Sequence, residues 1–177
     1  MQRAILLILV GTLFAGCATP AKKSDEPRTL DRQGVRVLGL LGGYLFPPSW
    51  SKETQVATAR QMYPLEFHGN TNMGKTLIHA LVLVDRNAMA RILEANRQLH
   101  PSFKTSPDIE HAFGQNSQST FDENGRQREL SWWEPSKHKN ATYYFWGTDE
   151  APRKRFWLRV SPDAQGEDRV YLRIESE

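Results

Sequence analysis

A chain of 177 residues with 39% hydrophobic and 24% charged side chains suits one folded domain and is too apolar for a disordered polymer. Its formal charge of +3 is close to balance and makes no case for nucleic acid. A chain of this size buries about 70% of its unfolded surface without disulfide or metal, and its single cysteine, Cys17, excludes an intramolecular disulfide framework.

The first residues carry an address. Arg3 supplies a positive start, Ile5 to Phe14 an apolar run broken only by Gly11 and Thr12, and Ala15-Gly16 a small-residue approach to Cys17. This order is that of a secretory signal peptide, and the run falls short of the ~20 apolar residues that a membrane span needs. A lone thiol in an oxidising envelope has no disulfide partner. Phe14-Ala15-Gly16-Cys17 resembles the lipobox of bacterial lipoproteins, with Phe14 where that family carries leucine. The resemblance implies cleavage before Cys17, diacylglycerol on its sulfur and an acyl chain such as palmitate on the new amino group. Two or more chains hold a protein stably where one does so only marginally. Ala18, where the inner-membrane retention signal has aspartate, implies the outer membrane with the domain facing the periplasm. The expected organisation is a signal peptide over 1–16, lipidated Cys17 and a flexible spacer over 17–34, and a single α+β domain over 35–177.

The spacer is charged, contains proline and has almost nothing apolar. Val35 to Phe46, closed by Pro47-Pro48, reads by length and β-branching as a buried strand or a strand-turn-strand. Ser51 is placed to cap a helix from Lys52 to Met62, and Leu65-Glu66-Phe67 to start an extended piece. Thr76 to Val84 is a buried strand or the first turns of a helix. Asn87 is the expected cap of a helix over Ala88 to Leu99, with Met89, Ile92 and Leu93 as its core-facing stripe. Ser106-Pro107 and Gly114 bracket a further short helix.

Beyond Ser117 the chain alternates turns with aromatic and β-branched runs: Arg128–Trp133, Ala141–Trp146, Arg153–Val160 and Arg169–Glu175. Strands at this spacing form an antiparallel meander. The fold class is therefore α+β, with two or three short helices packed on a meander of four to five strands. In the last two strands Phe156, Leu158, Val160, Val170, Leu172 and Ile174 share one face. Arg155, Trp157, Arg159, Arg169, Tyr171 and Arg173 share the other, a patch of the residue types that most often anchor interfaces.

Other motifs compete for attention. Gly69 to Gly74-Lys75-Thr76 matches the phosphate-loop pattern, but a sheet of antiparallel hairpins does not supply its strand-loop-helix setting, and a polar loop accounts for it. Gly74 to His79 followed by Met89, Ile92 and Leu93 resembles one ankyrin repeat, which implies a degenerate helical pair used for packing. Ser106 to Gly114, followed by a hairpin ending in Trp132-Trp133, resembles the small outer-membrane lipoproteins of the SmpA/OmlA type. That resemblance implies a short helix before aromatic-bearing antiparallel strands in an envelope-binding module. The five histidines show no metal-ligand spacing, no serine sits in a nucleophile elbow, and the pairs Asp122/Glu123 and Asp149/Glu150 fall in turns.

The expected function is a non-catalytic protein-binding lipoprotein of the cell envelope, with no cofactor, metal, nucleotide or nucleic acid. It serves either an assembly machine or the neutralisation of a toxin as an immunity lipoprotein. The alternative is a binder of lipid, lipopolysaccharide or cell wall through the same face, and a less favoured one is a hydrolase.

Overall fold

A computed structural model describes residues 32–72, 75–107, 109, 113, 118–121, 127–149, 152–163 and 166–176. The expected signal peptide, Cys17 and the expected spacer up to residue 31 lie outside the described residues, as do Asp122, Glu123 and Glu150.

The first element is helix α1, Arg32–Leu45, which begins inside the stretch assigned to the spacer. This corrects the expectation of a strand. Val37, Leu38, Leu41 and Leu45 are buried while Arg36, Gly39, Leu40 and Gly43 are exposed, a helical spacing that the surrounding apolar residues conceal. Helix α2, Lys52–Ala59, starts as expected at Ser51, whose hydroxyl accepts from the Thr54 N–H at 3.2 Å.

Strands β1, Met62–Asn72, and β2, Lys75–Asp85, form a long antiparallel hairpin with a register shift between Pro64 and Glu66. The phosphate-loop pattern is thus two facing strand ends, with Asn72 opposite Lys75 and Thr71 opposite Thr76, and no helix follows Thr76. Thr76 to His79 being strand also removes the ankyrin-like helical pair.

Helix α3, Arg86–Leu99, is capped by Asp85 rather than Asn87; the Asp85 carboxylate accepts from the Ala88 N–H at 3.0 Å. Buried Asn96 donates from one amide nitrogen to the carbonyls of Leu45 (2.9 Å) and Ile92 (2.8 Å), which ties α3 to the end of α1. Then come β3, Lys104–Thr105, and a two-stranded ribbon of β4, Gln118–Phe121, with β5, Gln127–Leu130. Of the short helix expected after Ser106, the described residues include buried Ile109 and Phe113.

The chain finishes with β6, Thr142–Gly147, β7, Lys154–Pro162, and β8, Glu167–Ser176. The main sheet has six strands, one more than the upper expectation, in the order β1-β2-β8-β7-β6-β3, with every pair antiparallel. The α+β class and the C-terminal meander are as expected. Because β8 pairs with β2 over ten positions, from Thr76↔Ser176 to Asp85↔Glu167, the chain's two halves close into one sheet. Its first face packs on α1 and α3 through Ile78, Val82, Phe156, Leu158, Leu172 and Ile174.

Candidate interaction face

Period-two alternation in β7 and β8 sends Phe156, Leu158, Val160, Val170, Leu172 and Ile174 into the main core and the six predicted contact residues to the opposite face. The structure does not present those six as one solvent-facing patch. Tyr171 and Arg159 keep only 1% and 3% of their exposure, because chain from between β3 and β6 crosses this face and builds a second core of Leu81, Ile109, Phe113, Leu130, Trp133 and Tyr171. For these two residues the expectation of a contact surface is corrected. A covering segment far away in sequence leaves no mark on the alternation of β7 and β8.

Trp133 organises that core. Its indole N–H donates to the Phe113 carbonyl at 2.8 Å, and its ring meets those of His79 (4.7 Å) and Tyr171 (5.4 Å) edge-on. Such geometry sets the positive edge of one ring against the negative face of another. Nothing in the spacing of residues 128–133 separates this buried indole from its half-exposed neighbour Trp132. Across the β1–β2 pair His68 faces His79, a meeting of histidines that their separation in sequence hid.

Beside the second core lies a cationic cluster. Arg159 donates from Nε to the Tyr143 hydroxyl at 3.2 Å and from Nη2 to the His138 carbonyl, and its guanidinium lies 5.7 Å and 5.9 Å from the Tyr143 and Tyr171 rings. Arg169 grips Asp163 through Nε (2.9 Å) and Nη2 (2.8 Å), while its Nη1 stands 3.4 Å from His138 Nε2. Burial, then Arg169 and Arg159, hold the His138 pKa below the ordinary histidine value. Burial pushes the Tyr171 phenol up.

Of the remaining predicted residues, Trp157 and Arg173 belong to a partly exposed row that crosses four strands and packs on the edge of the second core, and Arg155 lies beside it. Lys104 faces Phe145, Phe145 faces Trp157, and Trp157 faces Arg173. The Lys104 ammonium sits 5.2 Å from the Phe145 ring centre, the two rings are 5.4 Å apart, and the Arg173 guanidinium is 5.5 Å from Trp157. Glu175 accepts from Arg173 Nε at 3.0 Å. Lys104 and Arg155 are exposed; Phe145, Trp157 and Arg173 are half-buried. Lys104 and Phe145 were missed from sequence, since a two-residue strand carries no periodicity and β6 is aromatic on both faces.

On the helical side, a groove of about 500 Å³ runs between α1 and α2, lined by Val35, Gly39, Gly43, Phe46 and Val56 among others. A cleft of about 610 Å³ lies beside His100, Asn96 and Lys154. Among the described residues, no group of three His, Cys, Asp or Glu side chains is placed to hold a metal ion. No family model, curated protein or solved structure matches this chain.

Proposed function

We propose that the chain is a lipoprotein, anchored at the outer membrane through Cys17, whose periplasmic α+β domain is a non-catalytic protein-binding module of the cell envelope. It acts either as an accessory of envelope assembly or as an immunity lipoprotein that neutralises a toxin. The row Lys104–Phe145–Trp157–Arg173 carries this reading. It offers half-exposed aromatic area, two tilted rings backed by the second core, with Lys104 at one end, the Arg173–Glu175 pair at the other and exposed Arg155 alongside, so it suits an acidic, apolar-centred surface on a partner. The lipobox-like residues ending in Cys17 support the address.

The test is capture of envelope proteins by the acylated chain and by the double variant Lys104→Glu, Arg155→Glu. Both positions are exposed, so the fold tolerates the change. The expected result is a specific partner lost at least tenfold in the variant, and undiminished capture contradicts the assignment. A toxin gene beside this gene identifies the immunity role.

A further inference from the structure

Arg159 is a buried cation with no carboxylate paired to it among the described residues. Its Nε and Nη2 have neutral oxygen acceptors, but its Nη1 is buried and has no hydrogen-bond partner among the described residues. Two carboxylates on this side are engaged elsewhere, Asp163 with Arg169 and Glu134 with Lys137. A buried lysine or histidine relieves such a position by losing its proton, whereas a guanidinium stays charged. Two aromatic rings and two neutral oxygens offset part of the desolvation cost, which amounts to several kcal/mol for an isolated ion.

The surroundings add positive charge. Ser161 faces Arg169 and Arg159 faces Tyr171, so the two arginines are diagonal neighbours on one face of β7 and β8. His138 bridges them, its carbonyl on Arg159 and its Nε2 beside Arg169 Nη1. Asp163 is paired with Arg169. At the His138 ring the influence of the two arginines ranks above that of Asp163 and Glu134. Arg169 keeps 26% of its side-chain exposure, so the cluster is reachable from solvent on that side.

We propose that Arg159, Arg169 and His138 form a receptor for a phosphate group, which seats against Arg169 and the His138 ring and supplies a countercharge beside Arg159. The groups come from two strands and a loop, and a phosphate carries enough acceptor oxygens and charge to meet Arg169 and the His138 ring together. This site is separate from the partly exposed row and does not depend on a protein partner.

The experiment uses the full chain in an uncharged detergent, titrated with inorganic phosphate against chloride at matched ionic strength. Thermal unfolding and the ring resonances of His138, assigned with His138→Gln, are followed. Phosphate is expected to raise the unfolding temperature and to shift the His138 resonances. Arg169→Gln is expected to weaken binding about tenfold, the usual scale of one lost charge-assisted hydrogen bond. Asp163→Asn removes a competing carboxylate and is expected to tighten binding about threefold. These two variants decide the matter even if Arg159→Gln fails to fold. Substituting glycerophosphoglycerol, a soluble phosphodiester, separates the sources: a response to it points to lipid headgroups, and a response to inorganic phosphate alone points to free phosphate. No phosphate-dependent shift, an equal response to acetate, or wild-type affinity in Arg169→Gln overturns the proposal.

Discussion

Trp133 has no exposed surface and touches His79, Phe113, Trp132 and Tyr171, so its loss empties the middle of the second core. Trp133→Ala is expected to cost about 3–5 kcal/mol, read from urea unfolding, and it also strands the Phe113 carbonyl. A loss below about 1 kcal/mol contradicts the view that this side of the sheet is a packed core. The facing direction of Arg159 and Tyr171 was legible from strict alternation, and the structure agrees with it. Their burial was not legible, because it depends on Ile109, Phe113 and Trp133, which reach them only through the tertiary fold.

At the scale of elements, α1 shows how apolar richness hides a period. Twelve glycines serve the whole chain, and Gly34, Gly39, Gly42 and Gly43 fall within this one helix, where each costs about 0.5–1 kcal/mol relative to alanine. A Cβ built on Gly39 or Gly43 meets nothing within 4 Å, whereas one on Gly42 comes within 2.9 Å of the Phe46 ring, which stacks on Trp50. Gly39→Ala and Gly43→Ala should therefore each stabilise the protein by about 0.5–1 kcal/mol, and Gly42→Ala should not. The same order of thermal midpoints in all three variants would contradict helix α1 and its packing. By contrast β7 and β8 were readable almost residue by residue, since each has one face of aliphatic side chains and clear turns at its ends.

For the whole molecule, pH is a lever. His100 and His138 both have pKa values held below the ordinary 6.5, His100 by burial and His138 by burial and then by the two arginines. The folded state therefore prefers them neutral, and the unfolded state binds protons first as pH falls. Stability is greatest above about pH 6.5 and declines as pH drops through that value toward the folded pKa values. Urea midpoints should fall between pH 7.5 and 5.5, and less steeply in His138→Gln, which keeps the backbone carbonyl that Arg159 uses. A flat profile would contradict these environments.

The proposed address rests on the local order of residues 3–17 alone, which lie outside the described residues. No helix among the described residues is long and apolar enough to cross a membrane. The interaction row needed the fold, because Lys104, Phe145, Trp157 and Arg173 come from four strands spread over the chain. The most direct measurement is photo-crosslinking in intact cells from a reactive amino acid at Arg155, beside that row, compared with one at Arg60 next to α2. One discrete protein adduct is expected from position 155, absent from position 60 and lost when Cys17→Ser removes the proposed lipid anchor. Identical adducts from both positions, or none from 155, would contradict that expectation.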